Sequence, residues 1–466
     1  MRNPDQILTV AQMREAEQAL FDAGQSVDDL MLTAGVGAAE WVWRIAGQGR
    51  VTVLCGPGNN GGDGYVIAEA LRRRGAAVRV IACGEPKTDA ARNARARYAR
   101  DVQGSDADPH GDVLVDCLFG SGLARALSPE HADLLIRLAR HHRHAIAIDM
   151  PSGIQSDTGM PFNQSLPAYD LTVALGAWKF AHVLMPASAK MGALRLVEIG
   201  CGPVGGAAQM VSRPVLAAPA PDAHKYQRGL LAVVAGAMPG AALLAARAAQ
   251  GAGAGYVKLF ADQVPVGAPA DLVVDTVRLS DVLVDDRNTA VLVGPGLGRN
   301  ATARERLATA LADAAPVVLD ADALVLLGAR QLAERPAATI ATPHEGELIA
   351  LERAFACEGS GSKPARALAL AAASGMVIVA KGPDTVIAAP DGRMACAMRA
   401  TSWLSVAGTG DVLAGTIASR LAARSDPFSA ACDGVWLHGE AARLCRSPFT
   451  AGALADAIPD AVAACL

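Results

Sequence analysis

Apolar residues along the chain fall into two alternating textures. Short runs rich in Val, Ile and Leu occupy 51–55, 78–83, 113–116 and 145–149. Between them lie longer stretches with helical spacing, such as 65–74, where Val66, Ile67, Ala70 and Leu71 form one stripe and Gly75 supplies a stop signal. The second half repeats the scheme at 231–235, 291–293, 317–319, 339–341 and 377–380. Strands alternating with helices predict an α/β fold whose parallel sheets are covered on both faces. Ligands of such sheets gather beyond the carboxyl ends of the strands, so the residues just after each run are where chemistry is expected.

Periodicity lapses around Ser212, and residues 213–222 carry three prolines and no hydrophobic face. Such a stretch reads as an extended connector, which predicts domains at 1–212 and 223–466 joined by a linker at 213–222. The size and the hydrophobic fraction, 466 residues and 52%, allow each domain its own core. Only 4% of residues are aromatic, which suits close-packed α/β layers. Lys and Arg total 42 against 46 Asp and Glu, a net charge of -4, so neither nucleic acid nor a membrane is an expected partner and small molecules are. The nine cysteines form no Cys-x-x-Cys pair, the first six residues are polar, and the apolar stretch 230–257 is broken by Pro239 and Arg247. Together these predict a reduced, cytoplasmic protein.

The strand ends of the first half carry a distinctive set of residues. Residues 56–64, Gly-Pro-Gly-Asn-Asn-Gly-Gly-Asp-Gly, place five glycines in nine positions between a strand and a helix. So much backbone freedom indicates close approach to a ligand, with a diphosphate as the natural occupant. The stretch lacks the Gly-Lys-Ser/Thr of a P-loop and the standard dinucleotide fingerprint. Asn60, Asp116 and Ser152 offer hard oxygen atoms that suit a cation or loop-capping hydrogen bonds equally. Asp149, at a strand terminus, is a candidate acid or base. Lys179 reads as a surface lysine or as a group of the site.

In the second half, Ala407-Gly408-Thr409-Gly410-Asp411 runs into an apolar stretch. Its glycines and a helix beginning there would make an anion cradle beside a carboxylate. Gly294-Pro295-Gly296-Leu297-Gly298 is a second close-approach turn. Lys381-Gly382-Pro383-Asp384-Thr385 suits a nucleotide contact or a hairpin corner, and His344 sits at a strand end between Pro343 and Glu345.

Residues 8–35, the 56–64 segment and Asp149-Met150-Pro151-Ser152-Gly153 resemble the NAD(P)H-hydrate epimerase family across nearly the whole first half. The resemblance implies a Rossmann-like domain that interconverts the R and S forms of NADHX and NADPHX at nicotinamide C6. Asn59, Asn60, Gly61, Gly62 and Asp63, with Gly120, Ser121, Gly122, Leu123, Ala124, Arg125 and Ala126, would surround the ligand. It further implies a potassium ion held by Asn60, Asp116 and Ser152, and ligand contact or proton transfer by Asp149.

The ordered set Gly240-Ala241, 294–298, 319–324, 342–347, 381–385 and 407–411 is similar to the ADP-dependent NAD(P)H-hydrate dehydratases, which are ribokinase-like α/β sandwiches. In the implied reaction the C6 hydroxyl of the S hydrate attacks the β-phosphate of ADP, AMP leaves, and phosphate elimination regenerates NADH or NADPH. The resemblance casts Asp411 as the base and places Ala241, Gly296, Gly298, His344 and Asp411 at the hydrate. It places Lys381, Gly382, Pro383, Asp384, Thr385 and Gly410 at ADP, with Mg2+ accompanying the nucleotide. A homo-oligomer is expected. Two residues depart from the common pattern: Ala407 where many relatives have Gly, and Glu345 where Pro is common. The competing readings are a ribokinase-like kinase of vitamin precursors and a non-catalytic binding or scaffold protein.

Overall fold

A computed structural model describes residues 5–277, 279, 287–333, 335, 337–357 and 359–466. The chain divides between Gln209 and Met210 into two compact units. Residues 1–4, where the sequence reading looks for a leader, lie outside the described residues. No helix among the described residues is long and apolar enough to cross a membrane, and all nine cysteines are free.

In the first unit six parallel strands run edge to edge as Ala77–Ala82, Arg50–Cys55, Gly111–Cys117, His142–Ile148, Leu171–Leu175 and Ala193–Val197. From Arg50–Cys55 the chain goes first to one neighbour, Ala77–Ala82, and later returns to the other, Gly111–Cys117. That reversal of direction opens a crevice at the carboxyl ends of Arg50–Cys55 and Gly111–Cys117, the place where open α/β sheets bind ligands.

The predicted helix at 65–74 in fact spans Asn59–Arg73, so most of the glycine-rich segment forms its first turns rather than a loop. The glycines permit contact with neighbouring elements. A Cβ at Gly61 would lie 1.8 Å from the Gly56 carbonyl oxygen, and one at Gly64 would lie 2.7 Å from Cys55 Sγ. These two glycines let the helix pack against the sheet where any side chain would clash. Gly58 caps the helix without a side-chain hydrogen bond, leaving its first-turn amides for another acceptor.

The second unit is an α/β sandwich on seven parallel strands, ordered Val273–Asp275, Tyr256–Phe260, Leu230–Val234, Asn288–Val293, Val317–Leu319, Thr339–Ala341 and Val377–Ala380. Val386–Ala388 and Met394–Cys396 continue it antiparallel. Here the direction reverses between Leu230–Val234 and Asn288–Val293, and the turns after these strands touch: Met238 N donates to Gly296 O at 2.9 Å. The helices Pro239–Gly251 and Thr409–Ala422 pack closely enough that a Cβ at Gly415 would lie 2.0 Å from the Ala245 carbonyl oxygen. Alanine and glycine at this crossing explain how a chain so poor in aromatics fills its core.

Candidate active sites

At the crevice of the first unit lies a cavity of about 680 Å3, within the usual range for small-molecule sites. Its walls include Gly58, Asn59, Asn60 and Asp63 from the helix start, residues 118–125, Asp149, Lys179, and Arg14 and Glu17 from the helix Val10–Asp22. Of the residues assigned to this ligand from the sequence, Asn59, Asn60, Asp63, Gly120, Ser121, Gly122, Leu123, Ala124, Arg125 and Asp149 line the cavity. Gly61, Gly62 and Ala126 do not. A Cβ at Gly62 would meet Met31 Cε at 2.5 Å, so this position too is filled by packing.

Asp149 follows directly on the strand His142–Ile148 and adopts φ 62, a left-handed backbone that a non-glycine residue takes at a cost. The fold holds it there through Asp149 N to Val173 O at 2.7 Å and His182 Nε2 to Asp149 O at 2.8 Å. Its carboxylate accepts from Lys179 Nζ at 2.5 Å and from Ser121 N at 2.8 Å. Burial alone would favour the neutral acid, but the Lys179 ammonium and the Ser121 amide outweigh it and pull Asp149 down to about 2. Lys179 is therefore no surface lysine: it is 1% exposed, and it also donates to Leu175 O at 2.6 Å. Asp63 is pushed the other way, well above the usual carboxylate range, by burial and by the charges of Asp149 and Glu17.

The three oxygen-bearing residues singled out for a cation occupy adjoining positions. Asp116, fully buried, accepts from Ser152 Oγ at 2.7 Å, Ser152 N at 3.1 Å, Leu118 N at 3.0 Å and Tyr169 OH at 2.6 Å. Asn60 is half-buried, but both atoms of its side-chain amide are buried and neither is hydrogen-bonded. Such an orphaned amide is costly unless a partner arrives, and its oxygen fits a hard cation. The link between Asn60 and the Asp116–Ser152 pair runs through residues 119 and 120: Phe119 N donates to Ser152 Oγ at 2.9 Å, and a Cβ at Gly120 would lie 3.2 Å from Asn60 Oδ1 and 2.7 Å from Asp149 Oδ2.

In the second unit the carboxyl ends of the strands converge on Asp411. Asp320, one step beyond Val317–Leu319 and 1% exposed, accepts from Lys381 Nζ at 2.6 Å and from Thr342 Oγ1 at 2.6 Å. Lys381 follows Val377–Ala380 and stands 3.9 Å from Glu347. A Cβ at Gly410 would lie 3.6 Å from Lys381 Nζ, so the nucleotide-assigned Lys381 and Gly410 meet. Asp411 lies in the first turn of Thr409–Ala422, and burial first, then the charge of Asp320, raise it to about 7 despite the opposing Lys381. His438 Nε2 contacts Thr409 O at 3.0 Å, and burial drops its imidazole to about 4, so it is neutral.

Residues 381–385 form the corner between antiparallel strands, and the corner is held in shape. Lys363 Nζ reaches Asp384 Oδ1 at 2.7 Å and Lys381 O at 3.2 Å, while Thr385 Oγ1 donates to Gly382 O at 2.9 Å. Gly296, at φ 64, packs against the start of Pro239–Gly251, where its Cβ would meet Met238 O at 2.1 Å and Ala241 Cβ at 3.1 Å. Gly298 N donates to Asp322 Oδ2 at 2.9 Å. His344 caps the helix Glu345–Ala354, its Nδ1 accepting from Gly346 N and Glu347 N, with an exposed outer ring edge. Glu345 occupies the first helical position, where a negative charge is favourable, and pairs with Arg366 at 2.7 Å.

Sequence reasoning passed over Arg14, Glu17, Tyr169, Lys363 and His438 as site groups, and it included Asp320 and Glu347 only within strand-end signatures, with no role of their own. Asp320 and Lys381 carried a usable signal, since each follows directly on a strand of one parallel sheet.

The sequence profile described as NAD(P)H-hydrate dehydratase matches residues 231–463. That described as YjeF-related protein N-terminus matches residues 27–181. The bifunctional NAD(P)H-hydrate repair enzyme of Synechocystis sp. is 32% identical, with 95% of this chain and 91% of the relative covered. That of Gloeobacter violaceus is 34% identical over 93% and 92% of the two chains. A crystal structure of the ADP/ATP-dependent NAD(P)H-hydrate dehydratase from Bacillus subtilis, co-crystallised with ATP and Mg2+, aligns with 55% of this chain and 96% of its own, at 29% identity and a TM-score of 0.49. By its full-length similarity to these relatives, the chain belongs to the family of bifunctional NAD(P)H-hydrate repair enzymes.

Proposed function

We propose that the two sites divide the repair of hydrated nicotinamide cofactors between them: the first unit epimerises NADHX and NADPHX at C6, and the second dehydrates the S form with ADP. The observation that carries this reading is the pairing of carboxylates with opposite states, Asp149 held near 2 and Asp411 near 7, each where a parallel sheet or a helix start presents it. An ionised Asp149 can take a proton from the hydrate and stay buried because Lys179 neutralises it. Asp63, kept neutral, can donate a hydrogen bond to the ligand. The uncapped start of Asn59–Arg73, with Arg14 and Arg125 on the cavity wall, suits the diphosphate. Asn60, Asp116 and Ser152 would hold K+, a reading supported by the orphaned Asn60 amide.

In the second unit Asp411 is tuned for a proton acceptor working near neutral pH. It takes the C6 hydroxyl proton as that oxygen attacks the β-phosphorus of ADP. Gly408 to Gly410 open an uncapped helix whose amides face charge developing on the phosphoryl oxygens. Lys381 and the corner at 382–385 would contact the nucleotide, and Mg2+ would supply charge neutralisation on its phosphates. Ala241, Gly296, Gly298 and His344 would then shape the hydrate pocket. Phosphate is a better leaving group than hydroxide, so its departure with a C5 proton gives NADH or NADPH.

The test is Asp411→Asn in the full chain, supplied with mixed R and S NADHX and ADP. Dehydration should fall by roughly 10²–10⁴-fold, while epimerisation, followed by chromatography of the two forms, continues. Loss of both activities in a folded variant would refute separate sites. A stable phosphorylated vitamin precursor formed from ATP would favour the kinase reading instead.

A further inference from the structure

The cavity of the first unit holds more acid than a single base requires. Glu17, Asp63 and Asp149 all line it, around one fully buried ammonium, Lys179. Three carboxylates cannot all ionise beside a single buried positive charge. Lys179 is committed to Asp149 Oδ1, which makes Asp149 the ionised member, while burial favours the protonated form at Glu17 and Asp63. These two differ in access. Asp63 is 8% exposed, whereas Glu17 is only partly buried and lies one turn along Val10–Asp22 from the solvent-exposed Arg14. A carboxyl that lines the cavity and still meets water can give up a proton and regain one; a sealed carboxyl cannot do so readily.

The substrate gives such a group a task. Carbon C6 of the hydrate bears a hydroxyl and is bonded to the ring nitrogen N1, so inverting it requires breaking and remaking a bond at C6. We propose that Glu17 is the general acid of the first unit, acting opposite Asp149 as the hydrated ring opens and closes; this rests on the reading of that unit as an epimerase. Asp149 takes the hydroxyl proton, C6=O forms, and the C6–N1 bond breaks with its electron pair left on N1. N1 takes the proton of Glu17. The resulting aldehyde rotates about C5–C6 and offers its other face to N1. Reclosure returns the N1 proton to Glu17 and the Asp149 proton to oxygen. Every atom and charge is restored, with C6 inverted. Burial and the charge of Asp149 favour the protonated Glu17 this step needs, against the pull of Lys179 and Arg14.

The experiment compares wild type, Glu17→Gln and Glu17→Asp as full chains, measuring kcat and KM for R-to-S conversion. Glu17→Gln should lower kcat by about 100-fold or more with KM within about threefold of wild type, and Glu17→Asp should restore part of the rate. ADP-dependent dehydration of S-NADHX, which uses the other unit, should be unchanged. If Glu17→Gln keeps a wild-type kcat, or loses only in KM, Glu17 is not the acid. If wild type itself leaves the R form unconverted, the epimerase reading falls, a result distinct from failure of the Glu17 variants alone.

Discussion

Asp149 and Asp411 are the same side chain in two environments, and their neighbours decide what each can do. At Asp149 the buried Lys179 ammonium wins over desolvation; at Asp411 desolvation and Asp320 win over Lys381, because that lysine is already bonded to Asp320. The consequence is a pH signature. Below about 7 Asp411 carries a proton and cannot accept another, so kcat/KM for dehydration should rise with pH and level off above about 7. Stability runs the opposite way. The folded chain binds the Asp411 proton more tightly than the unfolded chain, so this group's contribution to stability declines as pH rises from about 4 toward 7. Asp411→Asn should therefore raise the melting temperature relative to wild type at pH 8 more than at pH 4. A dehydration profile flat between pH 5 and 8, with no differential melting, would remove Asp411 from the role of base. Ala407 poses no obstacle to this chemistry: the positive φ of the cradle falls on Gly408, at φ 93, and Ala407 is not among the left-handed residues.

At the scale of elements, most of the architecture was legible because the strands are nearly pure apolar runs and each ends in a polar signature. The boundaries that were missed share a cause. Asn59–Gly64 looked like loop because glycine is a poor helix former, yet the helix absorbs it, since Gly61 and Gly64 fit against the Gly56 backbone and Cys55 without a side chain and Gly62 lies against Met31. Lys179 looked like surface because its partner stands 30 residues away in sequence at another strand end. The Asp320–Lys381 pair was hidden in the same way: the strands before these residues lie two apart, roughly 10 Å at sheet spacing, a distance a lysine side chain spans. Close approach also makes a testable demand on Gly415. Gly415→Val would drive a side chain into the Ala245 backbone and separate Pro239–Gly251 from Thr409–Ala422. The expected loss is about 3 kcal/mol or more, measured by denaturant unfolding. Because Asp411 lies one turn earlier on the same helix, dehydration should fall as well. A variant as stable as wild type would show that the crossing tolerates added volume.

For the whole molecule, what matters is that the groups proposed for each reaction fall within one unit. Asp149, Lys179, Asp63 and Glu17 all precede residue 209, and Asp320, Glu347, Lys381 and Asp411 all follow 210. Motif order in the sequence already implied this division, although it could not show which groups within each half meet. Physical self-sufficiency predicts complementation between damaged chains. Asp149→Asn alone should convert the S portion of a mixed NADHX sample with ADP and then proceed only as fast as the R form epimerises without catalysis. Asp411→Asn alone should equilibrate R and S while producing almost no NADH. Mixed together, the two variants should carry the sample to completion, because S-NADHX released by one chain diffuses to an intact dehydratase on another. The rate should depend on the concentration of both chains, unlike that of wild type at saturating substrate, where each chain supplies both reactions. Completion by Asp149→Asn alone at the wild-type rate would mean that Asp149 is dispensable for epimerisation. Failure of the mixture, with both variants folded and each retaining its own reaction, would mean that the hydrate must pass between sites of one chain without release.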